Sequence, residues 1–396
     1  MKVEERRHQA AWARHDHALR DPRQIAGMWE GAAEDCRALL RMRATGGWWD
    51  LLGRLGITLI VTREYEHLVM ALGAGPHGPK VSYMRLPHPS GIVVDREREA
   101  LWIACTRLPN QVFEFRPASA RWPRIDRPSG PVEGRPLVPV RSRFHPGCLY
   151  LHDLALIDGG LYGAAAGMNA VVRLDRGPVR PLWWPAAVER RGRPDHRANY
   201  IQLNSIAAGA SLSRSFFTAS SERILDRRPG DPAFPVDRLG VVFSGETREP
   251  LARGLTRPHS ARLHQGRVWV DDSGYGGLSV VEKGAVRTVT RLPGWTRGLC
   301  FCGGVAFVGT SRVIPRFRCY APGLRVDESV CGVHAVDAAS GRTLGSCRWP
   351  AGNQIFGIDW VSSKVSSGFP FTGGRPAADE ELHALFYGFR TGDKEE

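Results

Sequence analysis

Six times along this chain, a polar or ring-bearing residue directly precedes a short apolar run. The residues that open these runs are Ser90, His152, Asn204, His259, Arg297 and Phe356. Successive members of this set lie between 38 and 62 residues apart. That spacing suits one four-stranded sheet per step, with loops of uneven length. The pattern predicts an all-β fold, a six-bladed β-propeller whose inner strands start at these positions.

The two ends of the pattern differ. Three short strands, 58–62, 67–71 and 80–84, precede the first inner strand, whereas 354–361 supplies one inner strand and is followed by a Ser-, Gly- and Pro-rich stretch. Pairing strands from both ends in one blade would remove an open sheet edge. We therefore expect a propeller over 51–366 that is closed by strands from both termini.

The chain outside 51–366 is predicted to be short and partly helical. Asp21 and Pro22 suit the start of a helix, and apolar residues recur at helical spacing from Ile25 to Leu40. Residues 1–50 thus form an N-terminal helical extension, which packs on the propeller or makes a homo-oligomer with a second copy. Residues 367–396 form a C-terminal tail with a short helix.

Two segments depart from the blade spacing. Residues 116–147 are dense in Pro and Arg, and residues 222–239 contain an Arg-Arg-Pro-Gly-Asp-Pro run. Loops of this length are often lids or binding loops, and the alternative is surface decoration.

The charge balance favours anionic ligands. The formal net charge is +14, but basic residues are spread along the chain without a run of five. Nucleic-acid binding is therefore disfavoured, while a positive field still attracts small anions. The charged N-terminal stretch lacks the apolar segment of a signal peptide, and no apolar run could span a bilayer. These features predict a cytoplasmic protein without membrane association.

Several phrases together resemble a known family. They are LHDLAL (151–156), PLWWPAA (181–187), QLNSIA (202–207), RPHSARL (257–263), VWVDDSGYGGL (268–278) and PGWTRGLCF (293–301). Over roughly 50–361 the chain is similar to a bacterial family of six-bladed propeller proteins called domain of unknown function 4915 (DUF4915). The resemblance implies a propeller in the style of the NHL and gluconolactonase-like folds and carries no established activity. Where that family usually has His-Leu-Asn-Gly, this chain has Gln202-Leu203-Asn204-Ser205.

Two rings of polar side chains are expected to face the propeller axis, because residues i and i+2 of a strand share a side. We call Ser90, His152, Asn204, His259, Arg297 and Phe356 the inner ring, and the residues two positions earlier the outer ring. The outer ring consists of His88, Tyr150, Gln202, Arg257, Trp295 and Gln354. Both rings are more polar than structural filling requires.

The inner ring suggests a metal. Imidazole nitrogens suit Zn, Fe, Ni or Cu, and an amide oxygen can add a ligand, so His152, His259 and Asn204 are the candidate metal ligands. The alternative is that both imidazoles are hydrogen-bonded to neighbouring groups and line a hydrated channel.

The other ring residues suggest an anionic substrate. A guanidinium beside a metal requires an intervening anion, so Arg297 and Arg257 are expected to bind one. The remaining substrate-binding candidates are Gln202, Trp295, Gln354 and Ser90. The catalytic acid or base is expected to be Asp153, Tyr150 or His88. Alternatively, Asp153 orients His152 or caps its strand, and Tyr150 is a rim platform.

Other reaction classes lack support in the sequence. Gly274 to Gly277 is glycine-rich but lacks the strand-loop-helix context of a phosphate loop, so no nucleotide cofactor is expected. No Gly-x-Ser-x-Gly motif is present, and Asp271 and Asp272 should face opposite sides of a strand. The leading interpretation is a metal-assisted lyase, isomerase or hydrolase acting on a small anionic or peptide-like substrate, with natural-product tailoring as a special case. The alternative is a non-catalytic binding or scaffold propeller with a basic rim.

Overall fold

The computed structural model of the protein is a six-bladed β-propeller. It describes residues 37–75, 78–107, 110–122, 130–147, 149–372 and 388–391. Each blade contains four antiparallel strands, numbered here from the axis outward. The strands are Ile358–Ser362, Ile57–Arg63, Leu68–Gly75 and Gly78–Arg85 in blade 1; Pro89–Asp95, Ala100–Cys105, Asn110–Arg121 and Leu137–His145 in blade 2; Leu151–Ile157, Gly160–Ala165, Ala170–Arg173 and Pro181–Trp183 in blade 3; Leu203–Ala207, Phe216–Ala219, Gly240–Ser244 and Pro250–Leu255 in blade 4; Pro258–His264, Arg267–Asp272, Gly277–Glu282 and Ala285–Arg291 in blade 5; and Trp295–Cys302, Val305–Ser311, Gly332–Asp337 and Thr343–Arg348 in blade 6.

Blade 1 is built from both ends of the propeller sequence. Its inner strand Ile358–Ser362 pairs antiparallel with Ile57–Arg63, from Ile57 opposite Ser362 to Val61 opposite Ile358. Leu59, Ile60 and Val61 are fully buried there. The sheet therefore joins segments that lie about 300 residues apart in the chain.

Short strands and helices complete the rim. The additional strands are Arg43–Thr45 beside blade 6, Phe371–Thr372 beside blade 1, Gly130–Pro131 and Phe389–Thr391 beside blade 2, and the hairpin Glu189–Arg190 with Arg193–Pro194. The α-helices are Arg37–Leu40 and Trp48–Leu55, and the 3-10 helices are Ala166–Met168, Ala186–Val188, Ser273–Tyr275, Pro315–Tyr320 and Val326–Glu328. In the described part of the chain, no helix is long and apolar enough to cross a membrane.

The helix Trp48–Leu55 attaches the N-terminal side to the propeller core. It lies between Gly47 and Gly56, both in the left-handed conformation that glycine adopts without strain. Trp48 is buried, and its ring meets Phe307 of blade 6 edge-on at 5.9 Å. The helix predicted upstream over 25–40 lies outside the described residues except for Arg37–Leu40, and the predicted tail helix lies outside them entirely.

The segment 116–147 is not the long loop that its composition suggested. The strand Asn110–Arg121 continues through its first residues, and Leu137–His145 pairs with it as the outer strand of blade 2. Pro139 lies in that outer strand, where a proline costs no ladder hydrogen bond on the unpaired edge. By contrast, 222–239 has no helix or strand, and its Phe234 and Val236 pack against Tyr320.

A closed series of hydrogen bonds, which we call the inter-blade ring, ties each blade to the next near the axis. From blade 1 to blade 6 and back, the bonds are Val94 N to Asp359 Oδ2 (2.9 Å), Ser90 Oγ to Leu151 O (3.0 Å), Ile206 N to Asp153 Oδ2 (3.1 Å), Ala261 N to Ser205 Oγ (2.9 Å), Gly298 N to Ser260 Oγ (2.7 Å) and Ser311 Oγ to Ile355 O (3.2 Å). These side chains are buried, so each bond replaces contacts that water would otherwise make.

The inner strands of blades 2 to 6 each contain a β-bulge. Each loses register with its neighbour at the inner-ring residue or directly after it, as between Leu151 and Asp153 in blade 3 or between His259 and Arg262 in blade 5. Such a β-bulge inserts one unpaired residue and turns its side chain out of the ladder. In blades 3 and 5, His152 and His259 face each other at the axis, while the following residues, Asp153 and Ser260, bond to the adjacent blade.

Candidate anion site on the propeller axis

The outer ring is positioned by an unusual backbone conformation. His88, Tyr150, Gln202 and Arg257 all have positive φ, between 42° and 54°, at equivalent positions before four inner strands. A left-handed backbone costs a non-glycine residue about 1–3 kcal/mol, and such strain concentrates at functional sites. Its repetition in four blades indicates that the turn exists to aim these side chains at one mouth of the propeller.

His152 and His259 face each other across the funnel. Their ring centroids are 6.5 Å apart, and their planes are inclined by 21°. Nδ1 of His152 lies 3.0 Å from Tyr150 O, and Nδ1 of His259 lies 2.9 Å from Arg257 O. Because a carbonyl oxygen only accepts, each Nδ1 carries the proton, and each Nε2 retains its lone pair.

Both imidazoles are neutral near pH 7. Burial, reinforced by the charge of Arg297, lowers the pKa of His152 to about 3. Burial and the charges of Arg297 and Arg257 likewise hold the pKa of His259 well below its usual range. Each ring therefore accepts a hydrogen bond at Nε2 but is a weak base while the nearby arginine charges are not offset by an anion.

Arg297 is linked to a buried acid through an amide. With its amide oxygen toward the guanidinium, Gln354 accepts from Arg297 Nη1 (2.7 Å) and donates to Glu64 Oε2 (2.9 Å). The guanidinium also lies over the Phe356 ring at 3.3 Å, a cation–π contact. Burial lowers the pKa of Arg297 to about 10, although the charge of Glu64 opposes this shift.

Glu64 is a site residue that the sequence interpretation missed. It follows the second strand of blade 1 and accepts a hydrogen bond from Thr106 Oγ1 at 2.7 Å. Burial would raise its pKa, but the charges of Arg107 and His88, together with Arg297, outweigh burial and lower the pKa to about 2. His88 lies beside it with Nδ1 4.0 Å from Oε1, and burial lowers the pKa of His88 to about 3. No periodicity marks Glu64, since it lies in a loop.

Arg257 is a buried cation without a described acidic partner. Its side chain lies under Tyr320, with the guanidinium carbon 4.3 Å from the ring centroid. Among the described residues, its Nε and Nη1 have no hydrogen-bond partner. Burial lowers its pKa. A buried charge is normally paired, so the site needs an anion beside Arg257.

Three predicted site residues serve the framework instead. Ser90 and Asp153 belong to the inter-blade ring, and Asp153 also binds Arg262 through contacts of 2.7 and 3.1 Å. Asn204 donates from Nδ2 to Pro258 O (2.8 Å) and accepts at Oδ1 from Thr218 (2.7 Å). The polar groups of these three residues are thus engaged with the protein itself, and the substrate, catalytic and ligand roles expected of them stay predictions.

The remaining outer-ring residues do line the funnel. Oε1 of Gln202 accepts from Ser220 Oγ at 3.1 Å, and the Tyr150 ring meets His152 edge-on at 4.6 Å. The Trp295 ring meets His259 at 5.0 Å, while Phe317 stacks on its other side at 5.4 Å. Aromatic groups therefore surround the polar atoms on several sides.

Two segments cover one side of the funnel. Phe317 and Tyr320 belong to the 3-10 helix Pro315–Tyr320 of blade 6, and Tyr320 packs against Phe234 from 222–239. These segments lie over Trp295 and Arg257. The cover explains why both outer-ring side chains are buried although they stand at the mouth.

Few of the described side chains near the axis could act as metal ligands. In the ranges that the structure describes, no group of three or more His, Cys, Asp or Glu side chains converges as metal ligands. Nε2 of His152 and Nε2 of His259 have the tautomer a metal requires, but Asn204 is engaged elsewhere. The nearby guanidinium groups disfavour a cation unless an anion accompanies it.

A family model decides the classification. The model for DUF4915, a domain of unknown function, matches residues 46–367, which is most of the chain. The chain belongs to this family. The resemblance seen in the sequence phrases is thereby confirmed, together with the six-bladed propeller fold.

Solved structures resemble this DUF4915 protein in fold. A chain of a nidogen–laminin complex has 10% identity and a TM-score of 0.51, with 78% of this chain and 99% of that chain covered. A gluconolactonase-family candidate has 14% identity and a TM-score of 0.42, with 67% and 79% covered. A 6-phosphogluconolactonase candidate from Bacteroides uniformis has 11% identity and a TM-score of 0.42, with 77% and 99% covered. The search of curated proteins found no match. At these identities, the likeness concerns the fold alone.

Proposed function

We propose that this DUF4915 protein binds a small organic anion in its central funnel and catalyses proton transfer on it, as a lyase, isomerase or hydrolase. The observation that carries the proposal is Arg257, a buried guanidinium whose Nε and Nη1 lack a partner among the described residues. Arg297 also lies close to the histidine pair, because its charge and that of Arg257 both lower the pKa of His259.

The histidines supply the chemistry in this proposal. Burial and the charges of Arg297 and Arg257 make both imidazoles weak bases in the empty site, and a bound anion that offsets these charges raises the basicity of Nε2. The imidazole then removes a proton from the ligand, and the adjacent guanidinium groups stabilise the resulting negative charge. His152 and His259 have the same tautomer, so either ring can be the base. The cover formed by Tyr320 and Phe317 excludes water from the arginine side, which strengthens these interactions.

The test compares two arginine variants in anion binding. Arg257→Gln and Arg297→Gln should weaken binding of acetate and inorganic phosphate, measured by calorimetric titration, by about tenfold or more, because a hydrogen bond to a charged group contributes about 1.5–3 kcal/mol. Arg141→Gln, at an exposed position of blade 2, is the matched control and should bind as the parent does. Equal affinities in all four proteins would contradict the proposal and favour a scaffold protein with a hydrated axis.

A metal on the histidine pair is the second candidate. It is favoured by one observation, the Nδ1 bonds to main-chain carbonyls that leave both Nε2 atoms free to coordinate. Elemental analysis of protein purified without chelator or histidine tag tests it. About one equivalent of Zn, Fe, Ni or Cu that is lost in His152→Ala would support a metal-assisted reaction, and unchanged content in that variant would contradict one.

A further inference from the structure

The unpartnered polar atoms near the axis are of two kinds. The first kind are donors: Nε and Nη1 of Arg257, Nε of Arg297 and Nε1 of Trp295 are all buried without a partner among the described residues. An unsatisfied buried donor costs about 1–3 kcal/mol, and natural proteins rarely leave several together. The guanidinium carbon of Arg297 lies 5.8 Å from the centre of the Trp295 ring, and the charges of Arg297 and Arg257 both act on His259. Neighbouring N–H groups of this number fit a ligand with at least two anionic oxygens.

The second kind are acceptors. Nε2 of His259 is buried and has no partner in the described part of the chain, and its Nδ1–H is committed to Arg257 O. His152 has the same commitment to Tyr150 O. A neutral imidazole in this tautomer only accepts at Nε2, so its natural partner is an O–H or N–H group.

We propose that the ligand is a small hydroxycarboxylate, whose carboxylate takes the arginine and tryptophan N–H groups and whose hydroxyl donates to Nε2 of His259 or His152. This inference rests on the proposed function, because it names the substrate class of the same funnel. A hydroxyl fits better than the ammonium of an amino acid, since Arg257 and Arg297 repel a cation at that point. The aromatic walls formed by Trp295 and Phe356 favour a short ligand.

Three probes of nearly equal size separate the groups that are recognised. Glycolate has a carboxylate and a hydroxyl, methoxyacetate replaces the hydroxyl by an ether that cannot donate, and acetate has the carboxylate alone. Calorimetric titration should show glycolate binding about five- to tenfold more tightly than the other two, the range expected for one neutral hydrogen bond to a buried acceptor. Equal binding of glycolate and methoxyacetate would overturn the hydroxyl assignment and leave the proposed function intact. Absence of binding by all three would overturn the proposed function itself.

Two variants test which histidine Nε2 accepts the hydrogen bond from the ligand hydroxyl. His152→Phe keeps an aromatic ring at the axis and removes Nε2, and His259→Phe does the same on the facing strand. One of them should reduce the glycolate preference to less than about twofold while acetate affinity changes little. Because either variant can lose its fold, the imidazole ¹⁵N resonances of the parent protein give a second measurement. Glycolate should shift an Nε2 resonance and methoxyacetate should not, and equal shifts would contradict the proposal.

Discussion

Removal of the Asp153 carboxylate tests whether this residue belongs to the framework or to the chemistry. The carboxylate accepts from Arg262 twice and from Ile206 N, and it joins the inner strands of blades 3, 4 and 5. In Asp153→Ala, the guanidinium of Arg262 would lose its counter-charge and keep only the main-chain acceptors Ala261 O and Ile206 O, and the amide of Ile206 would lose its acceptor.

The expected loss of stability follows from these contacts. Removing one partner of a buried ion pair costs about 3–5 kcal/mol, because the other charge stays buried and uncompensated. Taking about 4 kcal/mol, and an unfolding entropy of about 2.1 cal/mol/K per residue over roughly 320 residues, the melting temperature should fall by about 6 °C. Anion binding at the axis should remain within about twofold, since Asp153 does not contact the histidine pair through any described hydrogen bond.

The measurement is urea unfolding followed by circular dichroism, together with acetate titration. A double variant, Asp153→Leu with Arg262→Met, is the matched control, because replacing both charges by apolar groups should recover most of the stability. The framework role is refuted if Asp153→Ala unfolds at the parental urea concentration. A variant with parental stability but no activity would instead restore the catalytic role for Asp153.

Two further predictions concern protonation and close packing. His88 and His152 have pKa values of about 3 in the folded protein against an ordinary value near 6.5, so the unfolded chain binds these two protons at higher pH than the folded protein does. The free energy of unfolding should therefore fall as the pH drops below about 6.5, by up to about 1.4 kcal/mol per pH unit for each imidazole. Glu64, whose pKa is lowered to about 2, should add to this loss below about pH 4.5. Urea midpoints at pH 7.5, 6 and 5 check this, and a flat profile would contradict it. Gly309→Ala should lower the free energy of unfolding by about 3 kcal/mol, because the added Cβ would stand 2.1 Å from Arg297 O. Gly304→Ala, whose Cβ would have no atom within 4 Å, should lower it by less than about 1 kcal/mol. Equal denaturation midpoints of the two variants would refute the packing argument.

The inner strands were predictable from sequence because each has a polar or ring-bearing residue near its start and continues as a short apolar run. Leu151–Ile157 and Trp295–Cys302 are examples, and the three leading strands of blade 1 also lie where the alternation indicated. The outer strand Leu137–His145 was missed because it is mostly exposed, so burial imposes no apolar pattern on it. The Pro- and Arg-rich composition of this segment therefore indicates a loop, although its main chain pairs with Asn110–Arg121 to form a strand.

The candidate site was only partly predictable, because the β-bulges change which residue faces the axis. Alternation alone cannot distinguish His152, which faces the funnel, from Asn204, which occupies the equivalent position but binds Pro258 O of the next blade. Glu64 could not be identified as a site residue from the sequence, for a different reason. It enters from a loop of blade 1, and its partner Gln354 lies near the other end of the propeller sequence, so only the closed fold brings the two together.

The shared blade also sets the order of events during synthesis. Ile57–Arg63 leaves the ribosome about 300 residues before its inner partner Ile358–Ser362, and at roughly 5–20 residues per second this interval is about 15–60 s. Throughout that time, the edge of Ile57–Arg63 that faces the future axis has no partner strand. Leu59 and Val61, which are fully buried in the complete propeller, lack their contacts with that strand until it is synthesised. Glu64 cannot meet Gln354 before then either. The nascent chain therefore completes its axial funnel in one late step, when the final inner strand closes the sheet and brings Gln354 to Glu64.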